Sequence, residues 1–429
     1  MLFHSSLRQC ALTTCAALLI LSLPAKSESE LDSHASQAAV AALDQWLHQD
    51  EGHRSLLTEA PFANVSLTKR DAEDAKKLLW ADHVVSIKAS RKAEIDGKAI
   101  TLNGLTMKFE IVRFGVGNKP PEGHNLYLSL HGGGGAPHEV NESQWRNQIK
   151  LAQGYSPAEG LYVAPRAPTD SWDLWHQPHI DAFFQRLIED LIVLEEVNPN
   201  RVYILGYSAG GDGVYQLGPR MADFWAAASM MAGHPNDASP LGLRNIGFAI
   251  QVGGKDAAYH RNEIAAQWGQ KLDALQQADP GGYVHFAEIH EGKPHWMDME
   301  DRKAIPWMEK FTRQPLPEKV VWHQSKVTHT SFYWLAVPKE KATPEADVVA
   351  ERHGQTITVS APPDAPITVR LNDAMLDLDQ PVTVSLNGKE VAHDRIARTI
   401  SNLATTLQER GDPDLVFSAE IRSSLLNKN

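Results

Sequence analysis

Between about residue 105 and Phe311, short apolar runs alternate with helix-like stretches, and no other feature restricts the chain as strongly. The runs are Leu126–Leu130, Leu161–Val163, Val202–Leu205, Ala226–Met231, Phe248–Val252 and Val284–Ile289, with amphipathic segments such as Ile180–Glu196 and Asn262–Gln277 between them. Runs of this kind are buried on both faces, and alternating strand and helix brings each strand back in the same direction. The predicted class is therefore α/β, a mostly parallel sheet covered on both sides. In such sheets chemistry collects beyond the carboxyl ends of the strands, which gives a test for every candidate residue.

The flanks read differently. Residues 28–104 predict a helical segment, with Val40, Leu43, Trp46 and Leu47 at helical spacing, then Leu78, Leu79, Val84 and Ile87. Asp96-Gly97 and Asn103-Gly104 are turn signals of a hairpin leading into Met107–Phe114. The α/β unit is expected over 105–313, closed by Arg313-Gln-Pro-Leu-Pro as a linker or a tight domain junction. Residues 318–429 predict a small β-sandwich. Its strands are Val320–Trp322, Phe332–Val337, Thr356–Val359, Thr368–Leu371 and Val382–Leu386, with a turn at Asn387-Gly388 and a helix near Arg395–Leu407. Trp322, Phe332, Tyr333 and Trp334 there either contact carbohydrate or pack against the middle of the chain, and packing is the expectation.

Residues 1–27 read as a cleavable signal peptide: Arg8, an apolar run from Ala11 to Leu23, then Ala25-Lys26-Ser27. The run is short for a membrane anchor and continues past Cys15, against lipidation there. A mature start near Glu28 and a secreted or periplasmic protein are expected. Cys10 and Cys15 both fall in this segment, so disulfides, cysteine catalysis and cysteine-ligated zinc are excluded for the remainder. The net charge is −12, and without Arg8 and Lys26, the charged residues of 1–27, it is −14. An acidic surface repels phosphate backbones, so nucleic acid is not an expected partner, and no basic amphipathic helix suggests stable membrane association.

Gly206-Tyr207-Ser208-Ala209-Gly210 follows the strand ending at Leu205, and Gly211, Gly213 and a helical stretch come after it. A sharp strand-to-helix turn lifts the serine hydroxyl above the sheet and needs glycine where neighbouring backbone crowds in. The pattern alone is common by chance; the strand before it and the helix after it make Ser208 the candidate nucleophile. Such a serine needs a home for an oxyanion and a base. His131-Gly132-Gly133-Gly134-Gly135 follows another strand, and N–H groups of Gly132 or Gly133 with that of Ala209 would form the hole. No Gly-Lys-Ser/Thr follows the glycines, which argues against a phosphate loop. Asp256, in Val252-Gly-Gly-Lys-Asp256, is the expected acid, with Asp237 competing. His295, beyond the Gly292-Lys293-Pro294 turn, is preferred as base over His290.

These stretches, with Arg201-Val-Tyr-Ile-Leu-Gly-Tyr-Ser-Ala-Gly-Gly211, resemble the α/β-hydrolase superfamily, particularly its secreted esterases: polyhydroxybutyrate depolymerases, feruloyl and acetylxylan esterases, and dienelactone hydrolases. The resemblance covers about half the chain. It implies an α/β-hydrolase fold and a secreted serine hydrolase that cleaves carboxylic esters of small molecules or polymers through Ser208, His295 and Asp256, with no cofactor. A peptidase of the prolyl-oligopeptidase type and a catalytically inactive binding protein are the alternatives.

One more loop faces the same edge, Ala164–His179. Trp172, Trp175 and His176, with His131 and Tyr207 from the motifs above, are candidate substrate contacts; the tryptophans could equally be core packing. His176 and His179 have no third ligand at metal-site spacing, His234 is no better placed, and no metal is expected.

Overall fold

The computed structural model describes residues 28–115, 117 and 119–423. The signal-peptide reading and both cysteines lie outside the described residues. The helices are α1 (Glu28–Leu47), α2 (Lys69–Ser90), α3 (Lys92–Asp96), α4 (His138–Tyr155), α5 (Pro178–Leu194), α6 (Ala209–Arg220), α7 (Arg261–Ala278), α8 (Ala304–Met308) and α9 (Ile400–Arg410). The strands of the main sheet are β1 (Ala99–Leu102), β2 (Leu105–Phe114), β3 (His124–Leu130), β4 (Gly160–Arg166), β5 (Val197–Tyr207), β6 (Ala227–Met231), β7 (Gly247–Gly253) and β8 (His285–His290). They lie in the order β1-β2-β4-β3-β5-β6-β7-β8. The hairpin β1–β2 is antiparallel, β2 meets β4 antiparallel, and every later pairing is parallel. The expected α/β architecture is the one observed.

The two-residue period of the strands divides the interior into two layers. Leu126, Leu128, Val202 and Ile204 face the core beneath α5, α6 and α7, while Tyr127, Tyr203 and Leu205 face the opposite core under α4 and α8. Helix α5 shows why such a sheet is covered: Ile180, Phe183, Phe184, Leu187 and Leu191 are buried along one stripe. Helix α4 carries no such stripe. It buries Asn141, Gln148, Ala152 and Tyr155, so apolar periodicity does not announce it.

Beyond residue 318 a five-stranded sheet (Lys319–His323, Asp347–His353, Thr356–Ser360, Val382–Leu386, Lys389–Asp394) accompanies a four-stranded one (Ser331–Phe332, Leu335–Ala336, Thr368–Leu371, Ala419–Arg422). Trp322, Phe332, Tyr333 and Trp334 are at most 2% exposed, and Trp322 stacks on Phe332 with ring centroids 5.9 Å apart. Carbohydrate contact through these aromatics is thereby ruled out; they belong to the same apolar cluster as the layer beneath α5. The late helix, α9, turns away from the strands. Its Ile400, Leu403 and Leu407 pack with Leu43 of α1 and Leu79 of α2, and Leu67 bridges to Arg398, so the N-terminal helices and the C-terminal region share a core. Among the described residues no helix is long and apolar enough to cross a membrane.

Arg313, where a linker or tight junction was expected, is buried. Its guanidinium donates to Asp412 at 2.7 Å, to Asn200 Oδ1 at 2.9 and 3.0 Å and to the Asp223 carbonyl at 2.8 Å. The carboxylates around it raise its already high pKa further, against the opposing effect of burial. Removing one partner of a buried ion pair strands the other charge. Arg313→Ala is therefore expected to cost about 3–5 kcal/mol of unfolding free energy, read as a lower urea midpoint at unchanged slope; a loss below 1 kcal/mol would contradict this role of the pair.

Candidate active site

Strand β5 ends at Tyr207 and α6 begins at Ala209, leaving Ser208 alone on the turn at φ 58°, ψ −121°. That conformation is strained for a non-glycine residue and is held from outside: the Ser208 N–H donates to the Met231 carbonyl of β6 at 2.9 Å. The glycines on either side are obligatory. A Cβ on Gly206 would overlap the Gly210 carbonyl, and one on Gly210 would overlap the Leu130 carbonyl of β3. The turn thus brings the nucleophile candidate to the end of β3, where the glycine run begins.

That run is shaped by two buried polar residues. His131 is inaccessible; Nδ1 lies 2.6 Å from the Gly132 carbonyl and Nε2 lies 3.2 Å from the Ala167 N–H. The first contact requires a proton on Nδ1 and the second a lone pair on Nε2, so both fit one neutral tautomer. Burial pushes the pKa of His131 down to about 4, in keeping with that form. Asn141, fully buried in the first turn of α4, accepts the Gly134 N–H at 2.8 Å and donates to the Ala136 carbonyl at 3.1 Å. Gly133, at φ 106°, lies so close that a Cβ would overlap the Asn141 Oδ1. With the Gly134 N–H occupied, those of Gly132 and Gly133 stay the candidates to meet an oxyanion, with Ala209 opening α6 beside Ser208. Sequence reading did not find Asn141. Asn141→Ala should lower kcat about 10- to 100-fold, within what a weakened oxyanion hole costs, while KM moves less than threefold (a bound of roughly 0.65 kcal/mol). An equal rise in KM with kcat unchanged would instead make it a binding residue.

Asp256 follows β7 and His295 follows β8. His295 Nδ1–H donates to Asp256 Oδ2 at 2.7 Å, and Arg261 Nη1 stands 3.5 Å from the other carboxylate oxygen. Asp256 is 3% exposed, whereas His295 is partly open. Tyr207 fastens the histidine loop: its O–H donates to the His295 carbonyl at 2.6 Å and accepts the Met297 N–H at 3.1 Å. Ser208, His295, Gly132, Gly133 and Tyr207 line one cavity of about 740 Å³, without a hydrogen bond between Ser208 and His295. Such contacts are often long before substrate binds.

The competing candidates sit elsewhere. Asp237 accepts from Gln216 at 2.9 Å and pairs with Lys326 at 2.6 Å. His290 is buried between Gln251 at 2.7 Å and Glu300 at 3.1 Å, a structural histidine. Four expected substrate contacts do not line this cavity, the inaccessible His131 among them. Trp175 is fully buried, and its Nε1–H donates to the His131 carbonyl at 2.9 Å, so with His131 it supports the glycine run from below. His176 stands outside the cavity lining; burial lowers its pKa to about 4, and its carbonyl accepts from Arg220. Trp172 is 65% exposed, packs against Gly134 and Gly135, and also stands outside the lining. The walls come instead from residues that sequence reading missed: Val140, Gln144, Asn147 and Leu151 of α4, and Trp296 and Met299 of the histidine loop. Their positions on α4 repeat at three or four residues, a pattern visible only once the helix is known.

No protein-family model matches the chain. An alignment of 129 positions, covering 28% of the chain and 38% of the other protein's length, is 32% identical to "Putative esterase NocK" of Nocardia uniformis subsp. tsuyamanensis. Among solved structures, the chain is similar to a thermostable esterase at 20% identity (TM-score 0.39, covering 50% of this chain and 62% of that one). It is similar also to a carboxylesterase from Mesorhizobium loti at 17% identity (TM-score 0.34, covering 49% and 98%). A feruloyl esterase module from Clostridium thermocellum complexed with sinapinate is 14% identical (TM-score 0.35, covering 50% and 86%).

Proposed function

We propose that this chain is a serine hydrolase that cleaves carboxylic esters through an acyl-enzyme on Ser208. One observation carries the reading: a serine on a strained turn shares a cavity with a histidine whose Nδ1 is held by a buried carboxylate, beside a glycine loop braced by side chains. In that arrangement His295 Nε2 takes the proton of Ser208 as its Oγ attacks the ester carbonyl, and Asp256 steadies the imidazolium that results. The carbonyl oxygen becomes an oxyanion facing the N–H groups of Ala209 and of Gly132 or Gly133. Collapse breaks the bond to the alcohol oxygen, which leaves with the proton from His295. Water, deprotonated by the same histidine, then attacks the acyl-enzyme and frees the acid and Ser208. The short stretch shared with a protein named as an esterase agrees with this chemistry. The Ala11–Leu23 run and Ala25-Lys26-Ser27 support action outside the cytoplasm.

The test is turnover of p-nitrophenyl esters beside peptide p-nitroanilides, with fluorophosphonate labelling of the same sample. Ester turnover and labelling at Ser208 are expected. Preference for the anilides would make the protein a peptidase, and absence of both turnover and labelling would reduce it to a binding protein.

A further inference from the structure

The cavity that holds Ser208 does not end at the histidine loop. A second cavity of about 600 Å³ lies next to it, lined by Tyr155, Ser156, Asp298, Glu300, Arg302 and Pro306 among others. Gly154 of α4 and Met299 of the histidine loop line both. On the helix side, Val140, Gln144, Asn147, Leu151 and Gly154 repeat at intervals of four, three, four and three and so form one stripe. At 1.5 Å per residue the stripe is about 21 Å long. The two cavities thus adjoin beside α4, with Gly154 and Met299 at their common boundary.

Met299 is set into that junction by unusual backbone. Asp298 and Met299 both have positive φ, 54° and 65°, and Met297 before them is anchored through its N–H to the Tyr207 hydroxyl at 3.1 Å. Across the path, a Cβ on Gly154 would overlap the Met299 Cε, so the methionine tip rests against bare helix backbone there and would swing aside for a larger residue. Strained non-glycine backbone persists where surroundings over-determine it and is concentrated at functional sites. The residue so placed is a thioether with three rotatable bonds, the side chain best able to yield to a ligand.

We infer that Met299 is a length gate. The path beside α4 receives a long, unbranched arm of the ester, and Met299 divides a near chamber, walled by Val140, Leu151 and Trp296, from a far chamber with a polar, water-facing rim. This rests on the esterase reading. Short arms fill the near chamber alone; long arms must displace Met299 to enter the far one. Met299 is a specificity residue and takes no part in bond making.

The experiment compares wild type, Met299→Ala and Met299→Trp on p-nitrophenyl butanoate and dodecanoate, and on butyl and dodecyl acetates, so that either arm of the ester can report. In at least one series Met299→Ala should raise the long-to-short ratio of kcat/KM about tenfold, the scale of discrimination that pocket volume supplies, and Met299→Trp should lower it. Unchanged ratios in both series, with both variants folded by thermal melting, overturn the gate. Labelling rates with butyl and dodecyl fluorophosphonates separate this from failure of the esterase reading. A length dependence that shifts in Met299→Ala upholds the gate even if no ester is turned over, and a length dependence indifferent to residue 299 removes it.

Discussion

Ser208→Ala is expected to leave a folded protein whose ester turnover has dropped by about 10⁴- to 10⁶-fold. The structure separates the two halves of that outcome. The Ser208 backbone is fixed by its N–H bond to Met231 and by the glycines at 206 and 210, none of which involves the hydroxyl. Alanine meets the same positive φ that serine does, so strain neither rises nor falls, and stability should stay within about 1 kcal/mol. The Oγ, in contrast, is the nucleophile that forms the acyl-enzyme in the proposed reaction. What remains in the variant is an oxyanion site and a base able to activate water, which accounts for a small residue of activity and no burst of alcohol in the first turnover. Pre-steady-state release of p-nitrophenol measures both quantities. Turnover above one hundredth of wild type, or a burst in Ser208→Ala, would take the nucleophile's role away from Ser208.

The parts of this site that the sequence made legible are those whose backbone geometry demands a residue type. Gly206 and Gly210 are fixed by carbonyls that leave no room for a Cβ, and Gly133 of the run after β3 by the Asn141 side chain. The strands were legible because β4 and β7 are buried at every residue, which yields apolar runs interrupted only by Gln251 in β7 and ended by Arg166 in β4. The substrate walls were not. Helix α4 faces a cavity with Gln144 and Asn147 and the core with Asn141 and Gln148, so neither face carries the apolar period by which helices are read. Trp172, Trp175 and His176 share one loop, yet Trp175 is buried beneath the glycine run and Trp172 is open to solvent. Residue type could not tell them apart, because an aromatic ring serves as core and as contact surface alike. The C-terminal aromatics illustrate the same ambiguity, settled there in favour of packing by complete burial.

Asp256→Asn should produce the second large loss, about 10⁴-fold in kcat, and the cause is a tautomer rather than a missing contact. The carboxylate presents acceptors on both sides: Oδ2 takes the Nδ1 proton of His295 at 2.7 Å, and Oδ1 faces Arg261 at 3.5 Å. An asparagine has one acceptor and one donor end. The guanidinium, always a donor, selects the amide oxygen, and this turns the NH₂ toward His295. Nδ1 must then accept, the ring proton moves to Nε2, and the nitrogen facing the substrate cavity is no longer a base. KM should change little, because Asp256 lies behind His295 and does not line the cavity. Removing the guanidinium frees the amide to rotate, so Asp256→Asn with Arg261→Ala should recover part of the lost kcat, about tenfold, a coupling of roughly 1.4 kcal/mol. Arg261→Ala alone should cost far less than Asp256→Asn. A double variant no more active than Asp256→Asn would show that the charge of Asp256, rather than the tautomer it enforces, sustains the reaction, and a loss below tenfold in the single variant would remove Asp256 from the site.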